Sequence, residues 1–115
     1  MTLSVDNPLM VQGDRFELLA AAIAAMVARI PIAHISGGKT TQGVIDEAIR
    51  HALTKMSHLH FTHTDRHRDR IIKMGEEPSR VFAFGAPLVD GIRRLEPLTQ
   101  SELEGTLCLS LSKNM

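Results

Sequence analysis

The chain has 115 residues, with 13 Lys and Arg balanced by 13 Asp and Glu, so its formal net charge is zero. That balance removes the electrostatic case for a nucleic-acid partner, and 43% hydrophobic with 23% charged residues excludes a wholly disordered chain. One cysteine, Cys108, excludes an internal disulfide and a cysteine-based zinc site.

The length suits one domain or a piece of a larger one. No basic segment followed by an apolar core and a cleavage site opens the chain. The longest apolar run, Leu18 to Ala28, falls short of the about 20 residues that span a bilayer. The expectation is a cytoplasmic chain with no membrane partner.

With four Phe, no Trp and no Tyr, the core must come from Leu, Ile, Val, Ala and Met, as in alternating strands and helices. Leu9-Met10-Val11 reads as a buried strand ending at Gly13. Asp14 can cap the helix that follows. Phe16 to Arg29 is alanine-rich and free of Gly and Pro, which predicts a helix that Pro31 stops. Ile30 to Ile35 reads as the next strand, ended by Gly37-Gly38. Ile45, Ala48, Ile49, Ala52 and Met56 recur at helical spacing over Ile45 to Met56. Leu59 to Thr62 is a short strand. Thr64 starts a polar helix through Met74, ended by Gly75 with Pro78 close behind. Val81 to Phe84 is a strand ending at Gly85, and Pro87 suits the first turn of a helix to Leu95. Thr99 and Glu102 have capping-box spacing. Leu107 to Leu111 is apolar. Residues 1–8 read as a leader and 112–115 as a tail around a folded region 9–111. The alternation predicts a Rossmann-like parallel α/β sheet with flanking helices.

Ligands of open parallel sheets sit at the carboxyl ends of the strands, so the strand-end loops carry the candidate chemistry. Asp14 is either a cap or a functional acid, and Arg15 beside it can grip a phosphate. Ser36-Gly37-Gly38-Lys39 is either a tight turn or a loop whose glycines let backbone approach a ligand; it lacks P-loop spacing. Asp46 and Glu47 either complement a helix dipole or act as general acid and base. His58 and His60 share a strand face; His63 and His67 are four apart, but Thr64 as N-cap leaves His63 outside the helix, and no carboxylate or cysteine completes a metal set. No metal and no cofactor is expected. His51 reads as a half-buried packing residue, Cys108 as a buried small one, and Thr64 to Arg70 as a solvated charged helix face.

Four segments, in order and spacing, resemble one family: Val11 to Glu17, Pro31 to Gly38, Gly43 to Phe61 and Arg80 to Pro87. The family is that of the hydrolysing UDP-N-acetylglucosamine 2-epimerases of sialic-acid and related nonulosonic-acid biosynthesis. The resemblance covers about residues 9 to 95, and the block from Ile45 to Phe61 is its most specific part. It implies part of a two-domain fold like that of the B-type glycosyltransferases, with a UDP-sugar in the cleft and the second nucleotide-binding domain missing here. It implies elimination of UDP to a 2-acetamidoglucal and hydration to N-acetylmannosamine. Matched by position, Asp14 and Asp46 resemble the catalytic acids, and Arg15, Ser36, Gly37 and Gly38 fall where the substrate is bound. Many members carry Glu in place of Ser36 and another acid in place of Lys39. The resemblance also implies a homo-oligomer; the alternatives for so short a piece are an assembly module completed by a separate chain that carries the remainder of the enzyme, and a remnant without function. Strand edges left without neighbours predict a marginally stable, association-prone chain.

Overall fold

The computed structural model describes residues 6–42, 45–108 and 110. Most of the leader (residues 1–5), the tail 112–115, and Leu109 and Leu111 of the last apolar run lie outside the described residues.

Four strands, β1 (Leu9–Gln12), β2 (Ile32–Ile35), β3 (Leu59–Thr62) and β4 (Val81–Ala83), form one parallel sheet in the order β1-β2-β3-β4. Helices α1 (Phe16–Val27), α2 (Ile45–Met56) and α3 (Asp65–Lys73) make the crossovers. The α/β reading therefore holds. Right-handed connections that advance the same way each time put successive helices on one face of the sheet. The register aligns Val11, His34, His60 and Val81 in a row under those helices, all buried. Val11 and Ile32 pack there with Ala22 and Ala25 of α1 and Ile49 and Leu53 of α2.

The next row, Gln12, Ile35, Phe61 and Phe82, lies on the opposite face. There Phe61, Phe82 and Phe84 stack with ring centroids 5.7 to 6.0 Å apart. Met10 and Phe84 on this side are 61% and 72% exposed. Parallel sheets are ordinarily covered on both faces, and among the described residues helices α1 to α3 cover only one face of this sheet.

Several local expectations shift. The N-cap of α1 is Arg15, without a side-chain cap bond, so Asp14 is not the cap; its carboxylate is drawn to Arg50 instead. Helix α1 ends at Val27, ahead of Pro31, because Arg29 turns into the left-handed region at φ 58°. The strand predicted from Ile30 begins at Ile32, and the one predicted to Phe84 ends at Ala83. Helix α2 buries Ile49, Arg50, Leu53 and Thr54, a face rotated from the predicted apolar stripe and leaving Ile45 exposed. The reason is polar: Arg50 and Thr54 find partners beneath the strand ends. Thr64 caps α3 as expected, its hydroxyl accepting the His67 N–H at 3.3 Å.

A 3-10 turn, Pro78–Arg80, leads into β4, and α4 (Pro87–Arg94) starts on its proline. Helix α5 (Gln100–Leu107) opens with the complete Thr99–Glu102 capping box. Cys108 is exposed, not buried, and ends α5 in the left-handed region at φ 52°. Helices α4 and α5 bury no residue. Among the described residues no helix is long and apolar enough to cross a membrane.

Candidate functional site

The loops after β1 and β2 and the first half of α2 surround a cleft of about 380 Å³. Gln12, Gly13, Asp14, Arg15, Ser36, Lys39 and Arg50 line it. It lies at the carboxyl ends of adjacent parallel strands, where ligands of such sheets bind.

Asp14 forms an ion pair with Arg50, whose side chain is 6% exposed against 26% for Asp14. Arg50 also donates to the Thr41 hydroxyl from both terminal nitrogens, at 3.3 Å each. Burial of a guanidinium requires such pairing, and the carboxylate is fixed in orientation as a result. The loop carrying Asp14 is held from below. Gly13 sits at φ 95°, a conformation that favours glycine, and its carbonyl accepts from His34 Nε2 at 2.9 Å. A carbonyl only accepts, so His34 carries its proton on Nε2, and its Nδ1 accepts from the Thr54 hydroxyl at 3.3 Å. Burial pushes the His34 pKa down, which keeps the ring neutral.

Ser36 lies at φ 72°, largely buried, with Oγ 2.8 Å from His63 Nε2 at the end of β3. His63 in turn faces a second cleft of about 270 Å³ with Met10, Ile35, Phe61 and Phe84. Burial, then the charge of Lys39, push the His63 pKa down; burial and Lys39 do the same to His67.

Gly37 and Gly38 turn beneath the cleft and do not line it. A Cβ at Gly37 would meet His34, Ile71 and Thr54 atoms at 3.1 to 3.2 Å. A Cβ at Gly38, where φ is 77°, would stand 2.4 Å from the His67 carbonyl oxygen. Arg70 locks the same turn by donating to the Gly38 carbonyl at 2.7 Å. Their smallness serves close packing of the loop on α2 and α3.

Arg15 is exposed at the rim, paired with Glu17 at 3.2 Å. Asp46 is exposed in the first turn of α2, outside the cleft lining. The structure thus gathers Asp14, Arg15 and Ser36 with Lys39 and leaves Asp46 out of the lining. Among the described residues no group of three or more His, Cys, Asp or Glu is placed to hold a metal ion. His60 is fully buried, with Nε2 3.3 Å from Glu76, on the helix-covered face of the sheet. His58 Nδ1 accepts the Ile32 N–H at 3.2 Å and His51 sits half-buried 3.4 Å from Glu47.

Residues 6–112 match the family model described as UDP-N-acetylglucosamine 2-epimerase. The chain belongs to this family. It is 37% identical over 107 residues to the GDP/UDP-N,N'-diacetylbacillosamine 2-epimerase (hydrolyzing) of Campylobacter jejuni, covering 93% of this chain and 28% of the relative. It is 44% identical over 92 residues to the UDP-N,N'-diacetylbacillosamine 2-epimerase (hydrolyzing) of Legionella pneumophila, covering 80% and 24%. The crystal structure of UDP-GlcNAc 2-epimerase from Neisseria meningitidis bound to UDP-GlcNAc superposes with a TM-score of 0.68 at 26% identity, over 73% of this chain and 24% of that one. The chain therefore spans about a quarter of the length of its epimerase relatives.

Arg50 and His63 were missed as site residues by sequence reasoning. A helical stripe that includes a cation one residue from Ile49 signals a buried arginine, yet its partner stands far upstream in sequence. His63 carried no signal beyond standing at a strand end.

Proposed function

We propose that this epimerase-family chain supplies the strand-end wall of a cleft in which a UDP-sugar loses UDP and is hydrated to the 2-epimeric free sugar. The observation that carries the reading is the convergence of Asp14, Arg15, Ser36, Lys39 and Arg50 on one cleft at the strand ends. Three cations there suit a leaving diphosphate, whose growing charge must be stabilised as the anomeric bond breaks. Asp14, oriented by Arg50, and Asp46, in the first turn of α2, are the carboxyls that hold a proton and deliver it to C2 as the glycal is hydrated. Arg15 contacts the nucleotide, Ser36 faces the sugar, and Gly37 and Gly38 set the turn that presents it. The named relatives favour an acetamido sugar; our reading adds nonulosonic-acid biosynthesis in the cytoplasm, with no nucleic-acid or membrane partner.

Because the chain spans a quarter of its relatives, full turnover belongs to an assembly in which the rest of the cleft is present. That assembly is a homo-oligomer or a pairing with the remainder of the enzyme. The uncovered sheet face, with exposed Met10 and Phe84, favours this second role as an assembly module.

The test is an amide NMR titration of the purified chain with UDP-N-acetylglucosamine, followed by an assay for released UDP. Shifts confined to Gly13, Asp14, Arg15 and Ser36 to Lys39, with little UDP released by the chain alone, are expected. A dispersed spectrum with no shift at these residues refutes the reading.

A further inference from the structure

We propose that Ser36 and His63 form a proton relay between the two clefts. The inference rests on the nucleotide-sugar reading above.

Ser36 lines the polar cleft with Asp14 and Lys39, and His63 lines the apolar cleft with Phe61 and Phe84. Their 2.8 Å contact is the side-chain bridge between the two. A serine hydroxyl alone is a poor base at neutral pH. A neutral imidazole accepting its proton changes that, as in any hydroxyl activated by an adjacent base. Burial, then Lys39 from the β2 loop and His67 from α3, push the His63 pKa down, and Asp90 of α4 lines the same cleft. Ser36 is held in a left-handed conformation, and its N–H is tied to the Phe61 carbonyl at 2.9 Å, so the hydroxyl is placed by backbone.

In the assembled reaction the C2 proton passes to Ser36 Oγ as the hydroxyl proton passes to His63 Nε2. The C–H electron pair forms the C1–C2 double bond while the C1–O bond breaks and UDP leaves as the anion. A serine–imidazole pair is a weaker base than a carboxylate. The C1–O bond must therefore break ahead of the C–H bond, so that C2 is acidified beside a cationic C1. The imidazolium then returns its proton to water through the apolar cleft.

The relay requires His63 to carry its proton on Nδ1 and accept on Nε2. The test is nitrogen-15 NMR of histidine-labelled full chain, with Ser36→Ala and the fold-safe Ser36→Gly, which the positive φ favours. Expected are an accepting Nε2 in the wild type, and in both variants a shift toward the Nε2–H form with an upward move of the His63 titration midpoint. UDP-N-acetylglucosamine should then move the His63 Nε2 resonance in the wild type and not in the variants, while Gly13 and Lys39 amides shift in all three. An Nε2–H tautomer in the wild type overturns the relay. A still His63 beside moving amides also overturns it and leaves the nucleotide-sugar reading standing. No shift in either overturns both.

Discussion

Asp14→Asn tests whether the ion pair under the cleft is a structural requirement of Arg50 or of Asp14. The Arg50 side chain is 6% exposed, and without the carboxylate it keeps two bonds of 3.3 Å to one hydroxyl. Leaving a buried charge unpaired costs about 3–5 kcal/mol in general, and the 26% exposure of Asp14, which admits water to the gap, reduces this to about 2–3 kcal/mol. Arg50→Met removes the charge that cannot be hydrated and keeps most of the packed stem. The remaining carboxylate is reached by solvent, so the cost falls to about 1 kcal/mol. In urea unfolding followed by far-ultraviolet circular dichroism, Asp14→Asn should lower the midpoint by about 1–2 M, and Arg50→Met by less than half of that. The double variant should resemble Arg50→Met. Equal losses from the two single variants, or an additive double variant, would refute the assignment of the desolvation cost to Arg50.

Other perturbations follow from the same geometry. Gly38→Ala should lower the melting temperature well beyond Gly13→Ala: both impose about 1–2 kcal/mol of left-handed backbone strain, but only Gly38 drives a Cβ into the His67 carbonyl, with nothing within 4 Å at Gly13; equal losses would count against the packing role of Gly38. His34 is held neutral by burial, so the unfolded chain binds the proton more tightly and folding stability is lost as pH falls below the ordinary imidazole value of 6.5. Stability measured across this range should therefore rise with pH and flatten above neutrality, and His34→Gln should reduce the slope; a slope unchanged by the substitution would contradict the assignment. The exposed aromatic face predicts concentration-dependent association in sedimentation velocity, and Phe84→Ser should shift the distribution toward monomer.

What the sequence disclosed follows from how local each signal is. Strands and helices alternate within short windows, and the Thr64 and Thr99 caps are written within three residues of their partners, so these elements were legible. The strand-end rule alone brings Asp14, Arg15, Ser36 and Lys39 into one region. Asp14 misled as a cap because the residue type is right for one, and the competing partner, Arg50, sits on another helix. The same non-local pairing rotated the buried face of α2 away from its apolar stripe. Gly37 and Gly38 advertised freedom to approach a ligand, whereas their neighbours are His34, Thr54, Ile71 and the α3 backbone, which no spacing rule reveals. The Ser36–His63 contact joins loops on adjacent strands and depends on register, a property fixed only when the sheet assembles.

The order β1-β2-β3-β4 also governs how the chain reaches its structure. Leu9 meets Ile32, Ala33 meets Leu59 and His60 meets Val81, so every strand pairing closes a loop one helix long. The entropy of loop closure grows slowly with length, and among the described residues no strand pairing joins distant parts of the sequence. A sheet built this way can grow strand by strand, each new edge serving as the template for the next. The residues that line the polar cleft all fall between Gln12 and Arg50, ahead of β3 and β4 in the chain.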